Sequence, residues 1–114
     1  MGDVFRLMLA QLNPTVGAIA ANLARAREAW EQGRAAGADM VALTEMFVTG
    51  YQTQDLIMKP AFVTAAIAAV EGLAADCADG PALGIGGPVR AGGKLYNGYY
   101  VLQGGKVSAR VLKR

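Results

Sequence analysis

The stretch 43–51, Leu-Thr-Glu-Met-Phe-Val-Thr-Gly-Tyr, holds the group best placed to do chemistry. Glu45 follows the apolar run Met40-Val41-Ala42-Leu43 and precedes a glycine turn. It therefore stands where a buried strand ends and the backbone leaves a sheet. Open α/β sheets build their sites at the carboxyl ends of strands, and a carboxylate held there can act as a general base. Acids at strand ends are also commonly just solvated, so Glu45 by itself leaves a catalytic and a surface reading open. Tyr51 has two readings as well: it lines a substrate pocket, or it anchors the loop against the core, which an aromatic after Thr-Gly more often does.

The other reactive groups read as structural. Cys77 falls on the apolar side of a helical segment, where a thiol behaves as a small hydrophobe with a raised pKa. Gly84-Ile85-Gly86-Gly87-Pro88 resembles a phosphate loop only superficially. It fits neither G-x-G-x-x-G nor a Walker sequence, so it reads as a tight strand packed against a neighbour. Asp55 is placed to fix its loop through backbone amides, and Lys59 reads as a solvated lysine at a helix start.

Composition removes several function classes. A chain of 114 residues, 54% hydrophobic and 18% charged, is too apolar for disorder and suits one modest domain or a piece of one. The net charge of +2 comes from scattered lysines and arginines, with no basic stripe for nucleic acid or an anionic membrane. One cysteine excludes an internal disulfide, and the absence of histidine weakens any metal site. No signal peptide opens the chain, Arg6 stands where a myristoylation signal needs Ser or Thr, and the most apolar helix is short and interrupted by Glu71. These features together predict a soluble cytoplasmic protein with no metal and no bound cofactor.

Elements must position these groups. Phe5 to Leu12 is apolar with little alternation, as expected of a strand covered on both faces, and Asn13-Pro14 breaks it. From Ile19 to Ala36 the apolar residues Ile19, Leu23, Ala26 and Trp30 follow one helix face, Arg27 can pair with Glu31, and Gly37 supplies the stop. Met40 to Leu43 is the next strand, so a parallel pair with a right-handed crossover is predicted. Pro60 suits the first turn of a second helix, with Val63, Ile67, Val70, Ala74 and Cys77 on one side, ended by Asp79-Gly80-Pro81. Ala82 to Val89, Leu95 to Gln103 and Lys106 to Lys113 then read as an antiparallel meander, Gly104-Gly105 marking a hairpin and Val107, Ala109 and Val111 sharing a face. Tyr96, Tyr99 and Tyr100 are expected as sheet residues, with an interface as the second reading. The order predicts a mixed sheet with both helices on one face, and the end at Arg114, in or just after a strand, reads as that of a fragment.

The order of Gln11-Leu12-Asn13-Pro14-Thr15-Val16-Gly17, the Glu45 to Tyr51 block, Asp55-Leu56-Ile57-Met58-Lys59-Pro60-Ala61-Phe62 and Leu95-Tyr96-Asn97 resembles the carbon-nitrogen hydrolase, or nitrilase, superfamily. Within it the chain is similar to glutaminase domains that serve NAD synthesis. The resemblance covers essentially all of residues 1–114. It implies a four-layer α-β-β-α sandwich of which this mixed α/β chain is about the first half. It also implies a Glu, Lys, Cys triad, in which Glu45 is the glutamate, Lys113 in Val111-Leu112-Lys113-Arg114 is the lysine, and the cysteine lies well beyond the lysine. The substrate so implied is glutamine. Its ammonia would pass to a synthetase domain of the same chain, which uses ATP and Mg²⁺ to amidate nicotinic acid adenine dinucleotide, in an oligomeric protein. Thr44 departs from the usual proline, and Gln52-Thr53-Gln54 from the usual sequence before Asp55. The rivals are another amidase or carbamoylase of the superfamily and a module without catalysis.

Overall fold

The computed structural model describes residues 4–15, 18–44, 46–48 and 59–113, apart from the side chain of Lys113. Strands β1 (Leu7–Leu9), β2 (Met40–Ala42), β3 (Ala82–Ala91), β4 (Lys94–Gln103) and β5 (Lys106–Lys113) form one sheet in sequence order. Helices α1 (Ile19–Ala35) and α2 (Pro60–Asp76) connect the first three strands. β1, β2 and β3 are parallel, and β3, β4 and β5 antiparallel. This is the expected mixed sheet. β1 is shorter than the apolar run that suggested it, and β3 is longer, ending at the turn that Gly92 and Gly93 make with φ of 58° and 75°.

Both helices cover the same face. Ala26, Ala29 and Trp30 of α1 and Val63, Ala66, Val70 and Leu73 of α2 are buried with Val41, Leu43, Leu83, Ile85, Val89, Tyr100 and Leu102 of the sheet region. The indole of Trp30 donates to the Pro81 carbonyl at 2.8 Å, joining α1 to the start of β3. Gly37, with φ 78°, ends α1 as the sequence suggested. The expected Arg27–Glu31 pair does not form: Arg27 instead meets Asp76 of α2 at 3.3 Å, and Glu31 meets Arg34 at 3.6 Å. The close approach of the two helices offers Arg27 a partner across the groove, and Glu31 takes Arg34 instead.

The opposite face of the sheet carries Leu9 at 71% and Val111 at 61% exposure, with Leu7 and Leu95 beside them. Large apolar residues left in water on one continuous face mark a surface made to be covered. The alternation expected for β5 is interrupted. The register steps from Leu102↔Val107 to Val101↔Ala109, so Ser108 is an extra residue, and its hydroxyl bonds the Val101 carbonyl at 3.2 Å. This bulge turns Val107 toward the helix-side core while Ala109 and Val111 face the other way.

Candidate active site at the carboxyl end of the second strand

β2 pairs in register with β3 as far as Ala42, and two further bonds carry the alignment on. The Leu43 N–H donates to Gly84 O at 2.8 Å, and the Gly86 N–H donates to Thr44 O at 3.2 Å. Met46 then adopts φ 57°, left-handed backbone that costs a non-glycine residue about 1–3 kcal/mol unless its surroundings over-determine it. They do. Phe47 and Val48 are fully buried, and the Val48 N–H donates to Gly86 O at 3.0 Å. The chain thus leaves β2, turns sharply, and returns two apolar side chains to the core within a few residues.

Two further side chains hold this turn. Asn22 of α1 has no exposed surface; its amide nitrogen donates to Val48 O at 3.1 Å and to Thr15 O at 2.8 Å, while its oxygen accepts from Thr15 N–H at 2.7 Å. One amide therefore joins the loop after β1 to the loop after β2. On the open face of the sheet the Tyr99 hydroxyl donates to the Leu43 carbonyl at 2.8 Å. The sequence reading assigned nothing to Asn22 and only a sheet position to Tyr99. A signal existed for Asn22, a polar residue on the buried stripe with Ala26, Ala29 and Gly33. None existed for Tyr99, whose role depends on which strands become neighbours.

Glu45 and Tyr51 lie outside the described residues. Lys113 closes β5 opposite Asn97 of β4, and Asn97 lies opposite Pro88 of β3. Thr44 bonds Gly86, Gly86 pairs with Tyr99, and Tyr99 pairs with Val111. The exit of β2 and the Lys113 register position are therefore at the same end of the sheet. Three strand spacings, roughly 14 Å, separate the two strands, and the sheet between them is lined on the open face by Gly84, Gly86 and Pro88 of β3. Two buried oxygens at this end, Thr44 Oγ1 and Asn97 Oδ1, find no hydrogen-bond partner among the described residues. Buried polar atoms are rarely left so, and both flank the sequence positions singled out for chemistry.

Cys77 is buried at the carboxyl end of α2. Burial pushes its thiol up to about 11, with Asp76 and Glu31 adding to the effect and Arg27 opposing it. A thiol of that kind carries almost no thiolate at neutral pH, so Cys77 is the packing residue the sequence suggested. Gly84 to Pro88 is likewise a buried strand segment and no phosphate loop.

The carbon-nitrogen hydrolase family model matches residues 6–113. The glutamine-dependent NAD(+) synthetase of Rhodobacter capsulatus is 63% identical over 113 residues, 99% of this chain but 20% of that protein. The crystal structure of a glutamine-dependent NAD(+) synthetase from Cytophaga hutchinsonii superposes with a TM-score of 0.89 at 27% identity, covering 96% of this chain and 19% of that one. An amidase of the nitrilase superfamily from Nesterenkonia AN1 shares the fold, with a TM-score of 0.81 at 23% identity over 96% of this chain and 42% of its own. The chain spans about one fifth of the length of these curated relatives. No described helix is long and apolar enough to cross a membrane.

Proposed function

We propose a function from one premise: this chain belongs to the carbon-nitrogen hydrolase family. On that premise residues 1–114 are about the first half of a glutaminase domain, and the full-length protein is a glutamine-dependent NAD synthetase. The observation that carries the choice of glutamine over other amides is the 63% identity to the Rhodobacter capsulatus protein of that name. A free-standing amidase reading has only the shared fold behind it. The strained, doubly anchored turn after β2 supports the position of the base, because backbone strain of this kind is kept where a functional group must be aimed.

In this reading Glu45 accepts the thiol proton of a cysteine outside these 114 residues. The thiolate attacks the side-chain amide carbon of glutamine, a C–S bond forms, and the oxyanion is held by the Lys113 ammonium and a backbone N–H. Collapse breaks the C–N bond as Glu45 returns the proton to departing ammonia. Glu45 then deprotonates water, which adds to the thioester; the C–S bond breaks, releasing glutamate and the thiol. The lysine charge favours the thiolate and offsets the cost of burying an anion in a dry site. Tyr51 lines or anchors the substrate loop. The ammonia goes to the synthetase domain, where ATP and Mg²⁺ bind; no residue of this chain is assigned to that site. The same reading carries with it a cytoplasmic, oligomeric enzyme.

The experiment is Glu45→Gln in the full-length protein. Glutamine-supported NAD synthesis should fall by about 10³-fold or more, the scale of losing an essential proton carrier, while ammonia-supported synthesis persists. Equal loss of both would make Glu45 a structural residue and sink the assignment. The 114-residue chain by itself should release no ammonia from glutamine.

A further inference from the structure

We propose that Tyr99 is a positioning residue for the reaction at Glu45, its hydroxyl tying β4 to the Leu43 carbonyl across the whole width of β3. The inference rests on the reading of Glu45 as the base. β2 and β4 are not neighbours; β3 lies between them, so their backbones are roughly 10 Å apart. A tyrosine can bridge that gap only by laying its ring flat over the intervening strand. Gly84 is the place where it does so. A Cβ at Gly84 would stand 2.5 Å from the Tyr99 hydroxyl oxygen, 2.8 Å from the ring and 2.9 Å from the Met40 methyl. The hydrogen of Gly84 thus admits the bridge as it stands, and a Cβ there would force the Tyr99 ring and the Met40 methyl to move.

The bond lands two residues before position 45, on the carbonyl of the first residue past β2. Beyond the turn, Val48 is held by Asn22 and by Gly86. Val48, beyond position 45, is therefore held from α1 and β3, and Leu43, before it, from β4. β4 is also the strand that carries Asn97 opposite Lys113. One strand thus sets both sequence positions of the proposed acid–amine pair. Tyr99 is half-buried, and burial holds its hydroxyl above the usual tyrosine range. The group stays protonated, and a donor, wherever the reaction runs.

The test is made in the full-length protein with three variants. Tyr99→Phe keeps the ring over Gly84 and removes only the donor. It should lower kcat with glutamine by about tenfold, the scale expected when a reacting group is displaced by a fraction of an ångström, with KM for glutamine and the ammonia-supported rate unchanged. Tyr100→Phe is the control: it removes a tyrosine bond to the Pro88 carbonyl on the helix-covered face, and should lower the melting temperature without altering kcat. Glu45→Gln reports on the underlying reading. If it abolishes glutamine use while Tyr99→Phe leaves kcat intact, the positioning role is wrong and the assignment of the base stands. If Tyr99→Phe lowers glutamine- and ammonia-supported rates alike, the bond is merely structural and the proposal is overturned. If Glu45→Gln keeps glutamine use, the reading beneath both falls.

Discussion

Replacing Asn22 by alanine tests whether one buried amide joins the loops after β1 and β2. The substitution strands two backbone groups, the Thr15 N–H and the Val48 carbonyl, while the Thr15 carbonyl keeps the Ala18 N–H at 3.2 Å. Thr15 is exposed, so its N–H falls at the low end of the cost of an unmade bond; the carbonyl of Val48, fully buried, falls at the high end. A sum of about 3–4 kcal/mol follows. Alanine regains about 0.5 kcal/mol as the better helix former, leaving a net loss of about 3 kcal/mol. The chain has a single tryptophan, Trp30, buried between α1 and the start of β3, so urea unfolding is followed by its fluorescence. With m about 1.5 kcal/mol/M for a domain of this size, the midpoint should drop by about 2 M. Asn22→Asp sharpens the test. It keeps the acceptor for Thr15 N–H but turns both donors into repulsions and buries a charge, which raises the carboxyl pKa. Its folded form then prefers the proton, so the variant is most stable below the unfolded aspartate value of about 3.9 and weakens as pH rises through the folded one. An alanine variant with an unshifted midpoint, or an aspartate variant whose deficit ignores pH, would refute the clamp.

Other outcomes follow from single contacts. Gly33→Ala should destabilise by about 1–2 kcal/mol despite the gain in helix propensity, because its Cβ would meet Val41 Cγ2 at 2.2 Å; a raised melting temperature would show that α1 does not seat on β2 there. Cys77, shifted from the ordinary 9.0 to about 11, contributes stability that is whole below pH 9 and lost as pH climbs through 11. That loss is at most about 2.7 kcal/mol. Cys77→Ala should therefore show a shallower loss over that window than the native chain, and identical slopes would contradict the shift. The isolated 114-residue chain should self-associate through its open face, and Leu9→Lys with Val111→Lys should reverse this in sedimentation; a native chain already monomeric would count against the missing cover.

Much of the fold was legible because its signals are local. Gly37 and Pro60 bound their helices, the paired glycines at 92–93 and 104–105 supply the two turns with positive φ, and the change from helical to alternating periodicity after Pro81 marks the meander. The bulge at Ser108 was not legible, since nothing in Val107-Ser108-Ala109 distinguishes an extra residue from a regular strand. Arg27 was assigned the wrong partner for a related reason: Asp76 is distant along the chain and becomes near only when α1 and α2 pack. Around the candidate site, the apolar strand ahead of position 45 was readable; Glu45 itself lies outside the described residues, and Lys113 rests on the resemblance. The supports were not. Asn22 and Tyr99 act through carbonyls 26 and 56 residues away, and a one-dimensional reading weighs a residue mainly by its near neighbours.

Periodicity, turn chemistry and composition in these 114 residues were enough to determine the element order, the parallel-then-antiparallel sheet and the burial of Cys77, because helix rhythm, strand rhythm and burial are written within a few residues of each other. Only the tertiary structure decided that Met46 is strained, that Gly84 makes room for a tyrosine ring, and that two side chains from α1 and β4 hold the turn after β2. Those are contacts between elements, and their energy exists only once the sheet order has brought distant backbones within a hydrogen bond of one another.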